Sequence, residues 1–139
     1  MTTPPSGISG DLFTGFELFQ RNLTVTTDKF GGFQGGYPID CTIKDGQIWS
    51  GSKLANFEDD YVILLTRELR FGCGHYYLSE RSEKVLNAGR VAVIGGKIAY
   101  IDNKSGHYQP NKSDLIDAKN FFEHNQLTTD YLIVYHILF

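Results

Sequence analysis

The sequence predicts an α+β fold: a bent antiparallel β-sheet, or a partly open β-barrel, of six to eight strands with one main α-helix at residues 112–124. Three observations predict it. The 139 residues include 15 Gly, 10 Phe and 8 Tyr but one Met, a balance that suits strands and tight turns better than a helix bundle. Asp45-Gly46 and Gly95-Gly96 each sit between alternating apolar stretches, and such pairs supply the positive φ that a type I′ hairpin turn needs. One segment, beginning after Pro110, keeps a helical period.

Taken in order, residues 1–10 carry Pro, Ser and Gly without periodicity and read as a flexible leader to a single domain at 11–139. Residues 11–20 are dense in Phe and Leu and fit helix or strand, with Gly15 weakening either. Leu23–Thr27 reads as a strand, and Gly31–Gly36 as a loop. Ile43–Trp49 forms the first hairpin. Tyr61–Thr66 is a continuous apolar run, typical of a strand covered on both faces. Arg70–Leu78 reads as a strand kinked at Gly72-Cys73-Gly74, and Val91–Ile101 as the second hairpin.

In the helix, Leu115, Ala118 and Phe122 share one face. Asn111 is placed to cap, Asp114 favours the N-terminal dipole, Asn125 suits a left-handed C-cap, and Leu127 folds back on the last turn. Tyr131–Leu138 reads as a core strand, and a chain ending in its own core strand is expected to be a complete domain.

A formal charge of −3 argues against a nucleic-acid binder working through a basic surface. No apolar run approaches the roughly 20 residues of a membrane helix. Met1–Gly10 lacks the basic and apolar regions of a signal peptide. The expected location is therefore the cytoplasm, or a host or target cell into which the chain is delivered. The Asn-x-Ser/Thr matches at Asn22, Asn103 and Asn111 matter only in a secreted chain. Cys41 and Cys73 make no zinc or redox spacing and are expected as free thiols. No cofactor or metal is predicted. No phosphate loop is present, and the glycines at Gly31–Gly36 precede no helix pattern. Glu58-Asp59-Asp60 reads as a solvated turn, and Arg67–Arg90 as a surface of balanced charge.

Among four histidines, His124 suits the helix C-terminus and His136 a surface position of the last strand. His75 and His107 each occupy a Gly-His-Tyr tripeptide. His75 is expected to bond a nearby carbonyl, with its tyrosine as an anchor. His107, in Ser105-Gly106-His107-Tyr108, is the candidate acid or base. That box resembles the histidine box of papain-like deubiquitinating proteases, which implies Cys41 or Cys73 as nucleophile and Asp114 or Asp117 as the orienting acid. The cysteine of those enzymes opens a helix, whereas Cys41 lies in an apparent strand and Cys73 in a kink.

Ala88-Gly89, Gly96-Lys97-Ile98 and Ser105-Gly106-His107-Tyr108-Gln109-Pro110 form a longer pattern over about Tyr61 to Leu127. It resembles a domain of plant IQ-motif calmodulin-binding proteins and of related fungal and bacterial sequences, some in polymorphic-toxin chains. Where that family carries His-Ser-Ser, this chain has Ser79-Glu80-Arg81-Ser82. It has no IQ motif, so the resemblance implies no calmodulin binding. It implies a domain and a site at the junction of sheet and helix, with Gly106 in a positive-φ turn and Pro110 fixing the helix start.

Two functions are expected from these residues. One is a small interaction or effector domain that binds a protein or small ligand through Phe33, Tyr37, Tyr76 and Tyr77. The other is a toxin-type transferase or hydrolase with His107 as acid or base and Tyr108, Ser105 and Arg81 around the substrate.

Overall fold

The computed structural model describes residues 8–10, 13–26 and 35–138. Its elements are β1 (Ser9–Gly10), a 3-10 turn (Phe16–Leu18), β2 (Leu23–Thr24), β3 (Tyr37–Ile39), β4 (Thr42–Lys44), β5 (Gln47–Ser50), β6 (Lys53–Leu54), β7 (Phe57–Ile63), β8 (Leu69–Cys73), α1 (His75–Leu78), β9 (Lys84–Val85), β10 (Asn87–Ile94), β11 (Lys97–Asp102), α2 (Lys112–His124) and β12 (Thr128–Tyr135). The architecture is α+β, mostly strand with one main helix.

Six strands form the central sheet, in the order β12-β11-β10-β7-β8-β3. Smaller sheets, β1-β4-β5-β6 and β2-β9, flank it. The central sheet is mixed and does not close into a barrel. All neighbours are antiparallel except β11 and β12. The reason is the connection. α2 carries the chain back along the sheet, so β12 starts from the same end as β11, as a parallel pair requires. A second parallel pair ties the last residues of the expected leader, Ser9 and Gly10, to Thr42 and Ile43.

Both hairpin turns form as expected. Asp45 and Gly46 have φ of 55° and 69°, and Gly95 and Gly96 have 56° and 79°. The first hairpin also grips the second: Ile48 N donates to Gly96 O at 2.8 Å, and Gly96 N to Ala55 O at 3.0 Å.

α2 occupies the expected residues. Asn111 and Asp114 form a reciprocal capping box: Asp114 N donates to Asn111 Oδ1 at 3.0 Å and Asn111 N to Asp114 Oδ2 at 2.7 Å. The C-terminal expectation is corrected by one residue. Asn125 has φ −87°, and Gln126 takes the left-handed conformation at φ 59°. Gln126 N reaches Glu123 O and Leu127 N reaches Phe122 O, the Schellman pattern. Asn125 is held away from that role by its side chain, which accepts from Thr14 N and donates to Thr14 O.

The main core lies between α2 and one face of the sheet. Leu115, Ala118, Phe121 and Phe122 pack there with Tyr61, Ile63, Phe71, Val91, Val93, Ile98 and Ile101. Residues 13–20 are neither a full helix nor a strand. Phe13, Phe16 and Phe19 set their rings 5.0–6.0 Å from that of Phe121, so the segment is a lid whose ring spacing serves one helix residue. Three further readings change. Gly72 and Gly74, at φ 150° and 92°, end β8, and the chain beyond folds into the single turn α1 instead of continuing as strand. The acidic run Glu58-Asp59-Asp60 lies within β7, not in a turn. β12 is an edge strand with one face exposed, not a fully covered one.

A second, smaller core occupies part of the opposite face. Leu23, Val62, Leu64, Leu78, Val85, Ala88 and Tyr108 meet there under α1 and β2-β9. The rest of that face stays open. No helix among the described residues is long and apolar enough to cross a membrane.

Candidate functional site

The Ser105-to-Pro110 motif builds a corner. Ser105 is buried; its Oγ accepts from Tyr108 N at 3.2 Å and its carbonyl from Gln109 N at 2.7 Å. The strained residue of the turn is Gln109, at φ 43°. Gly106, expected there, is not among the positive-φ residues. Tyr108 sends its ring into the second core. Its hydroxyl donates to Ser82 O at 2.6 Å and lies 2.8 Å from Ser79 Oγ. Burial pushes that hydroxyl up to about 12, against a smaller opposing effect of the Ser79 hydrogen bond. At neutral pH Tyr108 is thus a proton donor to a carbonyl, not a base.

His107 is half-buried and stacks on Tyr76, with ring centroids 5.0 Å apart and planes 13° apart. Burial lowers its pKa, with a smaller contribution from the like charge of His75, so the neutral imidazole is favoured. Its carbonyl accepts from Thr26 N at 2.8 Å. Arg81 is exposed just beyond α1, at φ 61°, with its N–H bonded to Tyr76 O. The structure therefore joins Ser105, Tyr108, Ser79 and Ser82 in one network and stacks His107 on Tyr76.

His75 behaves as expected: Nε2 lies 2.7 Å from Gly89 O, and Nδ1 lies 3.8 Å from Asp60 Oδ2. Of the expected contact aromatics, Phe33 lies outside the described residues. Tyr37 is exposed and donates to Asp59 Oδ2 at 2.8 Å. Tyr76 and Tyr77 are half-buried against the second core. Of the cysteines, Cys41 is buried and Cys73 half-buried, both free.

A further concavity lies on the open part of the sheet. A groove of about 610 Å³ is lined by residues including Glu58, Asp60, Arg90, Ala92, Tyr100 and Tyr131, within the size range of small-ligand sites. Strand pairing builds it. Arg90 lies opposite Asp60, and Ala92 lies opposite both Glu58 and Tyr100. Tyr100 lies in turn opposite Ile133 of β12.

One end of the groove is ionic. Asp102, fully buried, takes Arg90 Nε at 2.9 Å and a terminal guanidinium nitrogen at 2.7 Å on one oxygen. Tyr100 Oη donates to the same oxygen at 2.8 Å, and Lys104 N to the other at 2.8 Å. The bonds to Asp102 hold the Arg90 pKa up; burial, then the Asp102 bond, raise that of Tyr100. Arg90 is thus already neutralised, and Glu58, Asp59 and Asp60 leave the groove acidic. Burial raises the Asp59 carboxyl, opposed by the bond from Tyr37. Asp59, Asp60 and Cys73 also bring their ligand atoms within 4.8 Å of one another, with Asp60 already accepting from Gly74 N at 2.9 Å.

None of the groove residues was singled out as a site from sequence. The available signal was the alternation Tyr131, Ile133, Tyr135 against Leu132, Val134, which separates an exposed face from a packed one. Comparison of the chain with protein-family models, with curated proteins and with solved structures finds no match.

Proposed function

We propose that this chain is a small interaction module, and that it binds through the open face of its central sheet. The supporting observation is the groove, with an apolar floor, aromatic walls and an acidic rim whose one cation is already paired. That combination suits a ligand with an apolar body and a positive end, free or presented by a protein. Such a ligand exchanges its water for Ala92, Ile94, Tyr100 and Ile133 and sets its charge toward Glu58 and Asp60. The alternative, a toxin-type enzyme using His107, finds Tyr108 and Ser105 engaged in the corner network.

A calorimetric series of phenylalkyl-ammonium ions against phenylalkyl-carboxylates of equal length tests the reading. The ammonium ions are expected to bind and the carboxylates not. Ala92→Trp, which fills the floor, should abolish binding while thermal unfolding stays cooperative. Equal binding of both series, or undiminished binding to Ala92→Trp, overturns it.

A further inference from the structure

We propose that Asp59, Asp60, Cys73 and His75 form a zinc site that clamps β7 to the turn between β8 and α1. The carboxylates of Asp59 and Asp60 and the sulfur of Cys73 lie within 4.8 Å of one another. The independent observation is His75, whose side chain is 8% exposed. Its Nε2 lies 2.7 Å from Gly89 O. A carbonyl only accepts, so Nε2 carries the proton of the neutral ring, and Nδ1 keeps a bare lone pair. Nδ1 has no hydrogen-bond partner among the described residues. It is turned to the cluster instead, with Asp60 Oδ2, itself an acceptor, 3.8 Å away. Two buried acceptors held at that distance call for a proton or a metal ion between them. The thiol and the second carboxylate beside them favour the metal.

The chain assembles these four groups locally. Asp59 and Asp60 are consecutive in β7, and Asp60 pairs with Gly72 of β8, so Cys73 comes alongside Asp59. Gly74, at φ 92°, then turns the chain into α1 and brings His75 to the carboxylate that Cys73 also approaches. A Cβ on Gly74 would come within 2.4 Å of Gly35 O, so only glycine makes this turn.

Outer partners already orient three of the ligands, as they do in metal sites. Tyr37 Oη donates to Asp59 Oδ2 at 2.8 Å, Gly74 N to Asp60 Oδ2 at 2.9 Å, and Gly89 O accepts from the His75 ring. A carboxylate has about four lone-pair sites, so both acids keep capacity for an ion. Among the described residues no lysine or arginine pairs with either acid. Arg90, opposite Asp60, is committed to Asp102.

The donor set selects the ion. A thiolate and an imidazole beside carboxylates suit Zn²⁺, whereas Mg²⁺ and Ca²⁺ take oxygen ligands. Tetrahedral zinc, with bonds of about 2.0–2.3 Å, sets its ligand atoms about 3.3–3.8 Å apart. The spacing of His75 and Asp60 already meets that limit, and side-chain rotation closes the others. Binding replaces the Cys73 S–H bond with S–Zn, and the proton leaves to solvent. Four protein ligands complete the tetrahedron, the arrangement of structural sites. The site shares Asp60 with the groove but does not rest on the binding proposed there, since Cys73 and His75 are not groove residues.

The test is titration of Co²⁺ into the full chain, stripped of metal with a chelator and kept reduced. One equivalent is expected to give the visible spectrum of tetrahedral cobalt and a near-ultraviolet thiolate charge-transfer band. Zn²⁺ should remove both, and Mg²⁺ or Ca²⁺ in large excess neither. Cys73→Ser should lose the charge-transfer band, and His75→Gln the tetrahedral spectrum. Tyr37→Phe, at an exposed side chain, should weaken binding about tenfold. Cys41→Ala should change nothing. Zn²⁺ should raise the thermal midpoint of the natural chain and not that of Cys73→Ser. Circular dichroism reports folding, and if His75→Gln unfolds, Cys73→Ser and Tyr37→Phe decide. Absence of the charge-transfer band, its survival in Cys73→Ser, its loss in Cys41→Ala, or displacement of cobalt by Ca²⁺ overturns the proposal.

Discussion

The Tyr108 hydroxyl donates to the main-chain carbonyl of Ser82 at 2.6 Å, across 26 residues of sequence, and so ties the Ser-Gly-His-Tyr turn to the chain leaving α1. Tyr108→Phe removes the donor and leaves Ser82 O and Ser79 Oγ facing a buried ring. The expected loss is about 1–3 kcal/mol in urea unfolding, and binding in the sheet groove should not change. A loss of groove binding with full stability would show instead that Tyr108 acts on the ligand.

His107 gives a pH prediction. Its folded pKa lies below the ordinary value of 6.5, first because of burial. As pH falls, the unfolded chain takes the proton first. Stability is therefore full above about 6.5 and declines as pH drops through the folded value. His107→Gln should flatten the fall in urea midpoint between about pH 7 and pH 5. An unchanged slope assigns the fall to other groups.

The two thiols should separate kinetically. Burial, then the charge of Asp40, pushes Cys41 up to about 11. Cys73 is also raised, by burial and then by Asp59 and Asp60, but is half-buried. Iodoacetamide at mildly alkaline pH should label Cys73 slowly and Cys41 only after unfolding, as followed by mass spectrometry. Rapid native labelling of Cys41 contradicts the packing around β4.

At the end of α2 two neighbouring substitutions should act in opposite directions. Gln126→Gly relieves a left-handed side-chain residue and should raise stability by about 0.5–1 kcal/mol. Asn125→Gly should lower it, since the Asn125 side chain holds both Thr14 backbone groups. If Asn125→Gly stabilises and Gln126→Gly does not, the cap has been placed one residue late.

The contrast at α2 shows what was legible in the sequence. Asp45-Gly46, Gly95-Gly96 and the Asn111 cap are local devices, complete within four residues, and each forms as read; the return bond from Asn111 N to Asp114 was not read. The left-handed cap was misplaced because Asn125 is the better left-handed residue by type, while a partner 111 residues away claims its side chain. The last strand was read as a core strand because an apolar run does not reveal its neighbours. Its place at the edge depends on the parallel crossover through α2. The groove was illegible for the same reason. Glu58, Arg90, Tyr100 and Tyr131 lie on four strands, and only pairing registers bring them together. His75 was readable because a glycine-flanked imidazole needs only one nearby carbonyl, and Gly89 supplies it. Gly89 also explains the tightness of that region, since a Cβ there would collide with Asp102 O and the Tyr61 ring.

Asn87 stands between the two layers of the fold. It takes the Tyr61 hydroxyl at 2.7 Å and donates to Asp114 O at 2.9 Å, fully out of water. β7, β10 and the first turn of α2 thereby share one buried polar contact, and none can withdraw without stranding the other two. Opening should accordingly be collective. The amides of the helix start and of the two central strands should exchange with deuterium at one common rate, as a single unit whose lifetime is that of the folded state itself.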